Sequence, residues 1–160
     1  MTLRSTHDDL KKLKILSFSF ILTTKCENKN CKSKQYLSCD CKLPILKKDL
    51  TKVGKWSLFN FDNCPINDSH NALVIITGTS NIIVVDIDNI NHWQQFLKEH
   101  NITEEPNTVK VKTSNGFHLY FKMDENMNNV DIKSNTHSFG KYNIDIRANG
   151  GIIIAPPTKY

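Results

Sequence analysis

Two Asn-Gly dipeptides constrain this chain more than any other feature. Asn115-Gly116 lies between the alternating runs Val109 to Thr113 and His118 to Lys122, and Asn149-Gly150 lies between Tyr142 to Arg147 and Ile152 to Ala155. Asn-Gly between alternating strands favours a tight hairpin turn, because both residues tolerate the backbone such turns need. A further pair of β-branched runs, Leu73 to Thr77 and Ile82 to Asp88, flanks Gly78, Thr79, Ser80 and Asn81 and reads the same way. After it, Ile90, Trp93, Phe96 and Leu97 fall at helical spacing up to about His100, with Asn89 or Asp88 as the cap. Three hairpins and one helix predict antiparallel pairing and an α+β fold, not a doubly wound parallel sheet. Upstream, Leu16, Phe18, Phe20 and Leu22 alternate with Ser17, Ser19 and Ile21, which predicts an early strand with one well-marked face.

Charge and cysteine divide the chain further. Residues 1 to 60 hold 13 Lys+Arg against 5 Asp+Glu, whereas residues 61 to 160 hold 8 against 11. A basic arm on an acidic body favours a phosphate-bearing partner, although exposed lysines also serve solubility. Four of the five cysteines crowd into residues 26 to 41, and five is an odd number for a disulfide framework, so the chain reads as a reduced, intracellular and cytoplasmic protein. No run approaches the ~20 apolar residues of a membrane helix. Ile15 to Leu22 is short, is preceded by Asp8 and Asp9, and is followed by Lys25, which makes a poor signal peptide. The 160 residues suffice for one domain with a real core, organised as an N-terminal segment with the first strand (1–24), a basic Cys-rich insertion (25–41) and a body (42–160). Trp56, Leu58 and Phe59 are expected to pack on the body.

The chemistry concentrates in Val84-Val85-Asp86-Ile87-Asp88. In a strand, residues two apart share a face, so both carboxylates leave an otherwise apolar segment together, at a strand end. Adjacent anions repel unless a cation lies between them, and Mg²⁺ is commonly held by one or two carboxylates plus substrate phosphates. The plainer reading is a strand end that caps the following helix. Asp145, between Ile144 and Ile146, is a second strand aspartate that propensity disfavours. Were its strand to lie beside the first acidic one, three carboxylates could hold two metal ions, an arrangement suited to phosphoryl transfer. Arg147, one of two arginines in the chain, lies two residues on; the pair could also be an exposed ion pair worth little. Lys112, Thr113, Ser114, Asn115 and Gly116 lead to His118, so a cation, hydroxyls, a flexible turn and an imidazole converge where phosphate oxygens could be bound.

Taken in order, these segments resemble the archaeo-eukaryotic primase superfamily, in its bifunctional primase-polymerase branch of plasmids, phages and large DNA viruses. Thr77-Gly78 through Val85-Asp86-Ile87-Asp88 is similar to the family's glycine turn and acidic first motif. Ser114-Asn115-Gly116-Phe117-His118-Leu119-Tyr120-Phe121 resembles the second, usually Ser-Gly-Gly-x-His, with Asn115 in place of a glycine. Ile144-Asp145-Ile146-Arg147, then Gly150-Gly151 and Ala155-Pro156-Pro157-Thr158, resembles the third, and Lys42-x-Pro44 and Trp56 resemble upstream family positions. The resemblance implies an RRM-like primase core with an antiparallel or mixed sheet. It implies catalytic Asp86, Asp88 and Asp145 holding Mg²⁺ or Mn²⁺, His118 and Ser114 on the nucleotide's phosphates, and Lys112 and Arg147 on phosphate or template. The partners it implies are single-stranded DNA, nucleoside triphosphates and a replicative helicase. Cys26, Cys31, Cys39 and Cys41 could surround a structural Zn²⁺, against free thiols in a basic loop.

Two other functions fit parts of the chain. A non-catalytic nucleic-acid-binding module, or the remnant of a split primase-helicase, would use the basic arm and leave the core vestigial. A glycosyltransferase also holds Mn²⁺ and a sugar nucleotide on Asp-x-Asp, but leaves Ser114 to His118 and Asp145 unexplained.

Overall fold

The computed structural model describes residues 2–20, 58–124, 131–135 and 139–158. The Cys-rich segment 25–41, Lys42, Pro44 and Trp56 lie outside the described residues. The elements run α1 (Leu3–Lys12), β1 (Ser17–Phe20), β2 (Ala72–Ile76), β3 (Ile82–Ile87), α2 (Ile90–Glu99), β4 (Val109–Lys112), β5 (Phe117–Lys122), β6 (Ile144–Arg147) and β7 (Ile152–Ala155). This is the α+β class expected, with two sheets of order β1-β2-β7 and β4-β5-β3-β6. By contacts the chain divides into two units, Met1–Val74 with Ile154–Tyr160, and Ile75–Ile153.

In the first unit, α1 was not foreseen. Thr2 caps it by accepting from the Ser5 backbone N–H at 3.1 Å while the Ser5 hydroxyl accepts from the Thr2 N–H at 3.0 Å, a reciprocal box that satisfies two orphan donors. The expected early strand is present, but its polar positions are buried too. Ser17 pairs with His7 Nδ1 at 2.9 Å and Ser19 with His70 Nδ1 at 2.7 Å, so each buried hydroxyl has a partner. Phe59 packs edge-on against Phe18 at 5.1 Å as expected, whereas Leu58 is exposed. The Cys64 thiol is pushed up to about 11 by burial, which leaves it an inert thiol at neutral pH.

The second unit is built on the four-stranded antiparallel sheet. Only one of the three predicted hairpins forms, the β4-β5 pair, with Lys112 opposite Phe117 and Val109 opposite Tyr120. The other two turn signals pass the chain from one sheet to the other. After β2, Thr77 donates its N–H to Gly151 O and Gly78 its N–H to Ala148 O, both at 3.1 Å, and the Thr77 hydroxyl donates to Ala148 O at 2.6 Å. Those donors are therefore committed to the segment after β6. The chain turns through Gly78–Ser80, with Asn81 left-handed at φ 52°, and enters β3, whose two edges are taken by β5 and β6. No edge of β3 remains for β2, and β7 pairs with β2 instead of β6.

One face of this sheet carries the unit's core. Ile87, Phe117, Leu119 and Ile144 bury against Trp93 of α2 and Tyr142, and Trp93 meets Phe117 edge-on at 6.1 Å and stacks on Phe96 at 5.6 Å. Asn89 caps α2, its side-chain oxygen accepting from the N–H groups of Asn91 and His92 at 2.9 and 3.1 Å. The helix closes on left-handed Asn101, with Ile102 N–H donating to Leu97 O at 2.8 Å. Glu99 accepts hydrogen bonds from Lys141, Tyr142 and Gln95, which hold its carboxyl at about 2 and tie the helix end to the turn before β6. Asn89→Ala is expected to lose about 1 kcal/mol, the usual worth of a cap, read as a lower urea midpoint with an unchanged slope.

Candidate active site

The opposite face of the same sheet gathers the polar residues singled out in the sequence. Asp86 on β3 faces His118 across the β3-β5 pair and Asp145 across the β3-β6 pair, so His118, Asp86 and Asp145 form one row across three adjacent strands. The next row places Tyr120, Val84 and Arg147 in register. Alternation explains the sorting: Ile87, Phe117 and Ile144 turn to the helix, and their neighbours in sequence turn away from it. All three residues of the first row are buried, Asp86 to 9%, His118 to 6% and Asp145 to 8% exposure.

Polar contacts link the members of this row to one another and to Arg147. His118 Nε2 lies 3.3 Å from Asp86 Oδ1. Arg147 Nη2 reaches Asp145 Oδ2 at 2.6 Å and Asp86 Oδ2 at 3.4 Å, so one guanidinium nitrogen spans both carboxylates. Burial pushes the Asp86 carboxyl up, but the His118 hydrogen bond and the charges of His118 and Arg147 outweigh it and hold the group below its ordinary range. Asp86 is therefore ionised at neutral pH.

Asp88 lies just past the end of β3, is exposed, and donates its backbone N–H to Asn143 O at 3.3 Å. The β4-β5 turn reaches the same strand end. It is closed by Thr113 N–H to Gly116 O and by Gly116 N–H to the Thr113 hydroxyl, both at 3.0 Å. Neither Asn115 nor Gly116 has a positive φ, so the left-handed backbone that the dipeptide suggests is not what requires the glycine. The reason is proximity: a Cβ on Gly116 would lie 1.8 Å from Ile87 O and 3.4 Å from the Asp88 carbonyl carbon. Ser114 is exposed on this turn. Lys112 stands opposite Phe117, in the register of the helix-side face rather than that of His118. Tyr120, which sequence reading placed in a strand without a role, has its hydroxyl 3.5 Å from His118 Nδ1; its spacing of two from His118 was the signal for that shared face.

Among the described residues, no group of three His, Cys, Asp or Glu side chains is gathered to hold a metal ion. Two opposed carboxylates, Asp86 and Asp145, nevertheless match the way Mg²⁺ is held, by one or two protein carboxylates with phosphates and water completing the shell. Residues 42–160 match the family model Prim-Pol, described as bifunctional DNA primase/polymerase, N-terminal. The chain belongs to that family. The matched range includes Asp86, His118 and Asp145 and the turn carrying Ser114. No curated protein and no solved structure matches the chain significantly. No helix among the described residues of this Prim-Pol chain is long and apolar enough to cross a membrane.

Proposed function

We propose that this chain is a DNA primase/polymerase that joins nucleotides on a single-stranded DNA template. The observation that carries the reading is the buried row His118-Asp86-Asp145, on the face of the sheet opposite α2, in a chain of the Prim-Pol family. In the reaction a 3′-hydroxyl oxygen bonds to the α-phosphorus of a nucleoside triphosphate, the bond to the bridging oxygen breaks, pyrophosphate leaves, and the hydroxyl proton passes to solvent. Asp86 and Asp145, with Asp88 at the strand end, would hold Mg²⁺ or Mn²⁺. Such ions supply charge neutralisation at the attacking and leaving oxygens. His118 is set beside Asp86 and oriented by Tyr120, and Ser114 on the turn offers a hydroxyl, so the two suit contacts to phosphate oxygens. Positioning and electrostatics supply most of the rate in such transfers.

The RRM-like character of the core belongs to the same proposal, supported by the four-stranded antiparallel sheet with a helix on one face. So do a Zn²⁺ on Cys26, Cys31, Cys39 and Cys41, a helicase partner, and an intracellular, viral or plasmid-borne setting. The deciding assay is incubation with single-stranded DNA, labelled nucleotides and Mn²⁺. Labelled primers or extended strands are expected. DNA binding that falls with salt, ignores added nucleotide, and comes with no product would instead favour the binding module.

A further inference from the structure

We propose that Arg147 is a resident counter-ion for the Asp86 and Asp145 pair, that a divalent cation displaces it, and that the freed guanidinium then takes phosphate oxygens of the incoming nucleotide. The inference rests on the reading of Asp86 and Asp145 as cation ligands. Two carboxylates directly opposite on neighbouring strands destabilise one another unless a positive charge intervenes. Here that charge is Arg147, at 2.6 Å from Asp145 Oδ2 and 3.4 Å from Asp86 Oδ2.

The contact is a poor use of arginine. A guanidinium binds a carboxylate best through two parallel N–H donors, whereas here Nη2 alone serves both aspartates and Nε is buried without a partner among the described residues. The two oxygens it spans are the ones a shared cation would take. A divalent ion brings twice the charge and an affinity for oxygen, so it competes for the same lone pairs on favourable terms. Arg147 is the least buried member of the group, with 26% of its side chain exposed, so it has solvent to turn into. Its release places a planar donor beside the cation, where a triphosphate would bind. Cation and triphosphate then favour each other's binding, because each profits from the same movement of Arg147.

The chain has two arginines, Arg4 and Arg147, so arginine Nε–H resonances in a ¹H–¹⁵N spectrum report on the movement directly. Adding Mg²⁺ to the full chain is expected to shift the Arg147 signal and to leave that of Arg4, which is bonded to Asp68 at 2.9 Å, in place. Asp86→Asn should abolish the shift. By calorimetry, Arg147→Met should bind Mn²⁺ about tenfold more tightly than the parent, near 1.4 kcal/mol, and Arg147→Lys should fall between them. Should Arg147→Met fail to fold without metal, the parent's spectrum carries the test alone. Mg²⁺ binding that depends on Asp86 while the Arg147 resonance stays still would overturn this inference and leave the cation site intact. Absence of Mg²⁺ and Mn²⁺ binding altogether would overturn the cation site, and the inference with it.

Discussion

Asp86→Asn is expected to lower nucleotide incorporation roughly 10²- to 10³-fold, the scale of losing one electrostatic contact to transition-state charge, while the fold survives. The side chain keeps its shape and loses only its charge. Asp86 stands at the centre of the row, between His118 and Asp145, so no neighbour can replace its oxygens. Survival of the fold follows from the charge balance, since the variant leaves Arg147 paired with Asp145 at 2.6 Å and no carboxylate unmatched. A shift of only a few degrees in melting temperature should accompany the loss of incorporation. Asp86 also sets an acid limit. Its carboxyl lies below the ordinary 3.8 in the folded chain, so its contribution to stability is complete above that value and fades as the pH falls through the folded one. Near-parental incorporation by Asp86→Asn in a primer-extension assay would remove Asp86 from the chemistry.

Gly116→Ala should be the most damaging single methyl in the second unit, at about 3 kcal/mol and a fall of roughly 6–12 °C in melting temperature at 2–4 °C per kcal/mol. The added carbon would lie 1.8 Å from Ile87 O and 2.8 Å from its carbonyl carbon, both backbone atoms of a central strand, so nothing nearby can rotate away. The β4-β5 turn must withdraw. Phe117 and His118 follow it, which loosens one buried core residue and the 3.3 Å contact to Asp86 together. Gly150→Ala is the comparison: φ there is 76° and nothing lies within 4 Å of the added carbon, so only the left-handed backbone is penalised, by about 1 kcal/mol. Equal melting temperatures for the two variants would mean that the turn is not seated on the end of β3.

Particular residues show what could be read from sequence and what could not. Helix α2 was legible because its cap and apolar stripe are local features, and the β4-β5 hairpin because four residues close it. The shared face of Asp86 and Asp145 needed one long-range fact, that β6 borders β3, which alternation alone does not supply. The two mistaken hairpins have a common cause. Gly78 to Asn81 and Asn149-Gly150 do lie in turns, but a turn fixes a bend and not a partner. Strand β2 is buried at all five positions, so its run is apolar on both faces, and that uniform run gave no sign that β1 and β7 would take its edges. Helix α1 was missed because its sequence is polar and its stabilising box is Thr2 with Ser5, where Glu or Gln is the usual partner. Of the 13 Lys and Arg in residues 1 to 60, nine fall in 21–57, which lies outside the described residues.

The aspartates in the row have a consequence that concerns pairing accuracy rather than catalysis. If β6 slid by one residue along β3, Asp145 would point into the packing of Trp93 and Phe117, and Ile144 would leave it. A carboxylate there would have no guanidinium and no water, a penalty of several kcal/mol. A mutation to valine at that position would spare the misaligned strand this penalty and so make the slipped sheet easier to reach. The acid proposed to hold a cation at position 145 thus also acts as a proofreader of strand alignment, rejecting the neighbouring frame while the sheet is being assembled.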